Sequence, residues 1–172
     1  MSHSPETVWE GRYIKVLKEG TWEWVARTRG VTAAVILAVE DGYVLLVEQY
    51  RTALKAQSLE LPAGLVGDEE EDEEIEAAAT RELEEETGYR AGHMVELGRF
   101  HASPGMSSEG FTLLRAEGLT KVGEGGGVGS EDIKVHRVKL EEVPAFVETK
   151  RGEGVRMDVK LLLLLAAPFL AG

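Results

Sequence analysis

Residues 81–89 read RELEEETGY, and whether their glutamates point outward or inward decides what surrounds them. Gly88 stands in the usual stop position, so the spacing predicts a helix from Glu73 to Thr87. With Ile75 at zero and 100° per residue, Ala79 falls at about 40° and Leu83 at about 80°, which centres the apolar stripe there. Glu82 falls at about 340° and Glu86 at about 20°, on the edge of that stripe, and Glu85 at about 280°. Glu84, at about 180°, faces water.

A carboxylate buried without a partner costs several kcal/mol, so an inward pair spaced i, i+4 needs a cation or hydrogen-bond donors. A single arginine suits only one of the two, whereas a divalent metal suits both. Oxygen ligands with no cysteine and no nearby histidine favour Mg²⁺ or Mn²⁺ over zinc. The alternative is a solvated acidic face, as most glutamate runs are. The neighbouring run DEEEDEEIE, residues 68–76, is read as such a surface, since acidic residues are favoured at a helix start.

Outward from the helix, residues 8–30 alternate in short strand-like runs with a turn at Gly20. Two apolar strands follow, joined by Asp41-Gly42, a dipeptide that accepts a tight hairpin. SLELPAG supplies a short strand and a loop into the helix. Further strands are expected near 93–100, 111–116 and 133–140, with helices near 141–149 and 156–169. The loop KVGEGGGVGSED, richest in glycine, matches no phosphate-loop spacing and is read as a flexible hairpin. No internal repeat is present. The pattern predicts a mixed α/β fold, with helices packed on a mixed β-sheet and an antiparallel strand segment at the N-terminus.

The chain has 172 residues, enough for one domain spanning 1–172. Its net charge of −12 excludes coating nucleic acid through phosphates. A polyanionic substrate would need metal ions to bridge like charges. With no cysteine, disulfides, zinc–thiolate sites and thiol catalysis are excluded. MSHSPETVWEGR carries no apolar core of signal-peptide length, and the terminal LLLLLAAPFLAG is too short to span a bilayer. The expectation is a cytoplasmic protein with no membrane partner and a buried C-terminal helix.

The chain resembles the Nudix hydrolases, whose signature is Gly, five residues, Glu, seven residues, then Arg-Glu-apolar-x-Glu-Glu-x-Gly-apolar. Gly67, Glu73, Arg81, Glu82, Leu83, Glu85, Glu86, Gly88 and Tyr89 fit it. The segments VEQYR, LELPAG and SPGMSSE are similar to those of the ADP-ribose and nucleoside-diphosphate-sugar pyrophosphatases, and Pro104 lies 16 residues beyond Gly88. In that branch the signature glycine follows Pro-Ala, as Gly64 does here. The difference reads as a three-residue lengthening of the loop before the helix.

The resemblance implies an α/β/α sandwich and Mg²⁺-dependent hydrolysis of a nucleoside diphosphate sugar, ADP-ribose first, to a nucleoside monophosphate and a sugar phosphate. Metal ligands would be Glu82, Glu85, Glu86 and the Ala63 carbonyl, with Mn²⁺ as a possible substitute and Arg81 orienting the carboxylates. Glu85 on the helix or Glu109 on the later loop would be the general base. Arg51 and Glu60 are candidates for substrate contact. Trp22 and Trp24 share one strand face, which suits either stacking on a nucleobase or burial at a dimer interface. The resemblance also implies a homodimer whose N-terminal strands, within 1–30, complete the partner's site. Hydrolysis of nucleoside triphosphates or dinucleoside polyphosphates, and a binding domain without turnover, are the alternatives.

Overall fold

The computed structural model describes residues 4–67, 74–129 and 131–171. The acidic run from 68 to 73, with Glu73 and the lengthened part of the loop, lies outside the described residues. In chain order the strands begin with β1 (Glu6–Glu10), β2 (Ile14–Glu19) and β3 (Trp22–Arg27), which form an antiparallel three-stranded sheet. Then come β4 (Thr32–Glu40), β5 (Tyr43–Arg51), β6 (Ala56–Glu60), β7 (Ala63–Val66), α1 (Ile75–Thr87) and β8 (Tyr89–Arg90). They are followed by β9 (His93–His101), β10 (Gly110–Glu117), β11 (Thr120–Lys121), β12 (Lys134–Lys139), α2 (Val143–Gly152), β13 (Arg156–Met157) and α3 (Leu162–Ala171).

The central sheet is mixed and runs β13-β6-β5-β4-β10-β9, with β7 also on β4 and β12 also on β5. β4 is parallel to β10 and antiparallel to β7. Its near-continuous apolar sequence follows from helices on both faces. Ala34, Ile36 and Ala38 pack with Ala78, Ala79 and Leu83 of α1. Val35 turns to the opposite layer, with Val143 and Val147 of α2 and Leu165 of α3. This is the sandwich of helices around a mixed sheet that the resemblance implies. The hairpin turn at Asp41 and Gly42 has the expected positive φ values of 51° and 77°. β4 pairs with β5 only beside that turn; beyond it β4 follows β7 while β5 follows β6 and β12. A cleft opens in the wedge between them.

Three expectations are corrected. The final helix begins at Leu162, because Arg156 and Met157 pair parallel with β6, and Asp158 then caps a short 3₁₀ turn by accepting from the Lys160 N–H at 2.8 Å. That helix is not buried all round: Leu165 is covered, whereas Leu162, Leu163, Phe169 and Leu170 are exposed. Among the described residues no helix is long and apolar enough to cross a membrane. The glycine-rich stretch reverses direction, the Ile133 N–H donating to the Gly126 carbonyl at 3.1 Å, but among the described residues it forms no strand ladder of its own and does not stand free. It runs against the C-terminal end of α1, where Gly126 and Gly127 N–H groups donate to the Glu86 and Glu85 carbonyls, each at 2.9 Å.

Behind the sheet, His136 Nε2 and Lys150 Nζ lie 2.8 and 3.0 Å from Glu48 Oε2. This half-buried network ties β5, β12 and α2 together away from the cleft.

Candidate active site

α1 turns one side toward β7. Gly88, with φ of 74°, closes the helix by donating to the Glu84 carbonyl at 2.8 Å. Leu83 is fully buried in the core, and Glu86, about 60° from it on the wheel, is only 5% exposed. The Ala63 N–H donates to Glu86 Oε2 at 3.1 Å, which joins the start of β7 to the helix. Glu82 lies over Gly64, whose backbone leaves no room for a side chain. The turn ending β7 has positive φ at Gly67. Gly64 therefore has the close-approach role and Gly67 a conformational one, as two separate requirements for glycine.

Arg81 Nη1 lies 3.0 Å from Glu82 Oε1 and 3.3 Å from Glu85 Oε2, so it bridges the two carboxylates on one turn. Glu84 faces outward and pairs with Arg90 at 2.8 Å. Burial pushes the Glu86 carboxyl up to about 8; the Ala63 N–H and Arg51 pull it down, and the charges of Glu82 and Glu131 push it further up. A group this buried beside like charges calls for a cation. Among the described residues, no three histidine, aspartate or glutamate side chains stand together as a ready coordination shell, and Arg81 and the Ala63 N–H engage the glutamates. The donor chemistry decides the fit: Glu82, Glu85 and Glu86 offer only carboxylate oxygens, which suit a hard divalent ion.

The cleft beside these residues has a volume of about 380 Å³, and Glu82 and Glu86 line one wall. Arg27, Arg51 and Lys160 line the rest, each held by a carboxylate. Arg51 forms a two-pronged pair with Glu60 at 2.8 and 2.7 Å. Burial would raise the Glu60 carboxyl, but bonding to Arg51, with help from Ser58 and Lys160, brings it below its ordinary value. Arg27 of β3 reaches Glu109 at 2.6 Å, and Lys160 reaches Asp158 at 2.8 Å. Paired cations next to a carboxylate wall suit a ligand with an anionic centre and hydroxyl groups around it.

Arg51, Glu60, Ala63, Glu82, Glu86 and Glu109 all border this cleft. Arg81 and Glu85 sit behind them, joined to Glu82 through Arg81. Trp22 and Trp24 do not border it. They line a separate groove of about 970 Å³ between the β2–β3 hairpin and residues 104–108. The groove and the cleft share an edge, because the Val25 N–H donates to the Met106 carbonyl at 2.9 Å and Ser108 donates back to Val25 at 3.0 Å.

Arg27, Glu131 and Lys160 line the cleft without having been singled out in the sequence. Glu131 is the informative omission. It lies in the loop after the glycines, accepts from the Val128 N–H at 2.9 Å, and adds its charge to those acting on Glu86. In sequence it is one more acid among glycines and serines.

Comparison with known proteins follows the same lines. The family profile described as "NUDIX domain" matches residues 28–155. An ADP-ribose pyrophosphatase of Bacillus subtilis is 35% identical over 118 residues, covering 68% of this chain and 62% of that protein. A GDP-mannose pyrophosphatase of Cronobacter sakazakii is 35% identical over 146 residues, covering 80% of this chain and 72% of that one. The chain thus spans under two thirds of the length of the first of these relatives. Among solved structures, one described as an ADP compounds hydrolase superposes with a TM-score of 0.68 at 21% identity, over 98% of this chain and 92% of that one. That likeness is one of fold.

Proposed function

Since the chain belongs to the NUDIX domain family, we propose that it hydrolyses the pyrophosphate bond of nucleoside diphosphate sugars, ADP-ribose first, to a nucleoside monophosphate and a sugar phosphate. The observation that carries this reading is the buried Glu86 beside Glu82 and Glu131, across a small cleft from Arg27, Arg51 and Lys160. Opposed charge of this kind suits a diphosphate bridged to an acidic wall by metal. Paired cations whose carboxylates can also accept from hydroxyls suit a sugar better than a terminal phosphate. The family profile supports use of a divalent metal, and Mg²⁺ is our assignment, with Mn²⁺ as its substitute.

Glu82, Glu85, Glu86 and the Ala63 carbonyl would hold the ion, which when bound supplies charge neutralisation and a more acidic attacking water. Arg81 aligns Glu82 and Glu85 through its ion pairs. Water attacks one phosphorus and the bridging P–O bond breaks, leaving one phosphate on the nucleoside and the other on the sugar. The general base takes the water proton. Of the loop candidates, Glu109 has its Oε1 bound by both Arg27 nitrogens, whereas the carboxylate of Glu131 accepts a backbone N–H and sits in the field of Glu86. Glu85, the helix candidate, is paired with Arg81 at 3.3 Å and does not line the cleft; we therefore assign the base to Glu131 and a holding role to Glu109. Arg51 and Lys160 would face the diphosphate, with Glu60 accepting from the sugar.

The whole chain, 1–172, is proposed to act as one domain and as a homodimer. Val8, Trp9, Tyr13, Ile14 and Trp22 are exposed on and beside the β1–β3 sheet, the kind of apolar surface a second copy covers. In that arrangement Trp22 and Trp24, which do not line their own cleft, would stack on a base in the partner's. The cysteine-free sequence suits a cytoplasmic location.

The test is turnover of the purified protein with Mg²⁺ against ADP-ribose, GDP-mannose, other nucleotide sugars, triphosphates and dinucleoside polyphosphates, with products separated by chromatography. AMP and ribose 5-phosphate are the expected products from ADP-ribose. GDP-mannose is the second substrate to try, because the relative of that name covers more of this chain than the first. Hydrolysis of triphosphates alone, or no turnover at all, would overturn the reading.

A further inference from the structure

The glycine-rich stretch is fastened to the C-terminal end of α1 by backbone alone. Val122 and Gly123 N–H groups donate to the Gly88 carbonyl at 2.8 and 3.0 Å. Gly126 and Gly127 then donate to the carbonyls of Glu86 and Glu85. A helix leaves its last four carbonyls without helical partners, so here the loop takes up two belonging to glutamates of the carboxylate cluster. The approach is too close for side chains. A Cβ on Gly125 would stand 2.4 Å from the Thr87 carbonyl carbon, and one on Gly88 would stand 2.3 Å from the Gly123 oxygen.

Beyond the clamp the chain doubles back on itself. Ile133, itself buried, donates to the Gly126 carbonyl at 3.1 Å, and the Val128 N–H holds Glu131 Oε2. A Cβ on Gly127 would lie 2.7 Å from Glu131 Cβ and 2.6 Å from its Oε2. Glu131 is thus located relative to Glu85 and Glu86 through peptide groups, with few rotatable side-chain bonds between them.

We propose that Gly125, Gly126 and Gly127 are positioning residues, whose clamp on the Glu85 and Glu86 carbonyls sets the Glu131 carboxylate in one rigid frame with the carboxylates of α1. Small motions of the helix end then carry both sets of groups together, which preserves the geometry that proton transfer needs. This rests on the assignment of Glu131 as base in the proposed function.

The experiment is a double-mutant cycle on the full chain. Gly127→Ala should lower kcat by about 10- to 100-fold, as small displacements of catalytic groups do, while KM and Mn²⁺ affinity measured by calorimetry stay within about threefold. In a Glu131→Gln background the same substitution should change kcat by less than about twofold, because the group it displaces no longer acts. An equal loss in both backgrounds, an unchanged kcat, or a parallel loss of Mn²⁺ affinity would overturn the proposal. Should Gly127→Ala not fold, one glycine inserted between Val128 and Gly129 adds no side chain and leaves the clamp contacts in place. It displaces Glu131 from its place beside Val128 without adding a side chain, and wild-type kcat in that variant would overturn the proposal equally. If Glu131→Gln itself keeps full turnover, the base assignment fails, a result separate from failure of the cycle.

Discussion

A Cβ placed on Gly64 would stand 1.9 Å from Cδ of Glu82 and 2.2 Å from its Cγ, so the β7 backbone and the carboxylate stem touch with no space between them. Contact this close, against the stem as well as the tip of the side chain, is relieved only if the glutamate moves away. Gly64→Ala should therefore cut turnover by about 100-fold and weaken Mn²⁺ binding, through displacement of one ligand. Gly67→Ala, which meets the backbone preference of a φ of 81°, should chiefly lower the melting temperature. Kinetics and thermal unfolding of the two variants side by side check this, and equal kinetic losses would contradict it.

The helix and its inward glutamates were legible because a 3.6-residue period and a terminal glycine are local signals. The hairpin at Asp41-Gly42 was legible for the same reason. Glu131 was not, because nothing near it in sequence marks an acid held by its backbone; only the docking of Gly125 to Gly127 on α1 brings it to the cleft. Lys160 escaped notice because β13 exists only through its pairing with β6, and without that pairing residues 156–169 read as continuous helix. Conversely, Trp22 and Trp24 line one groove together with the Glu23 between them, but not the carboxylate cleft.

Glu86 predicts how stability depends on pH in the metal-free protein. Its folded carboxyl titrates at about 8, above the ordinary 4.5. The stability this contributes is complete below about pH 4.5 and is lost as pH rises through about 8, with a total on the order of a few kcal/mol. With metal removed by EDTA, the melting temperature should fall between pH 5 and about pH 8.5, and Glu86→Gln should flatten that slope. Binding of Mg²⁺ near pH 7 should also release a proton, visible in calorimetry as a heat that varies with buffer ionisation enthalpy. A slope unchanged by Glu86→Gln would place the titrating group elsewhere.

The Glu48 network should act in the opposite direction. Burial would raise the Glu48 carboxyl, but bonds to Lys150 and His136 bring it below 4.5, while burial lowers His136 below 6.5 despite Glu48. Groups with depressed folded values stabilise above their unfolded pKa and lose that contribution as pH falls. Stability should thus decline from about pH 6.5 downward as His136 takes up a proton, and from about pH 4.5 downward as Glu48 does; Glu48→Gln, which removes the carboxylate opposing the depression of His136, should steepen the decline between pH 7 and pH 5 without affecting kcat at pH 8. Unfolding by urea of wild type and Glu48→Gln at pH 5 and pH 7 checks this, since the Glu86 contribution is common to both and cancels in the difference.

Arg51 and Lys160 both face the cleft, but they differ in what their removal leaves behind. Arg51→Met strands Glu60, which is 5% exposed, and should cost about 1–3 kcal/mol of stability as well as raising KM. Lys160→Met leaves Asp158 with its capping bond to the Lys160 N–H, which the substitution retains, so stability should change little. Its effect should appear in substrate binding: KM for ADP-ribose up by about 5- to 20-fold with kcat within about twofold, the pattern of a contact made equally in ground and transition states. Lys160→Arg, which keeps the charge, should recover most of that loss. If Lys160→Met instead lowers kcat at constant KM, the lysine acts on the leaving group and its place in the reaction changes accordingly.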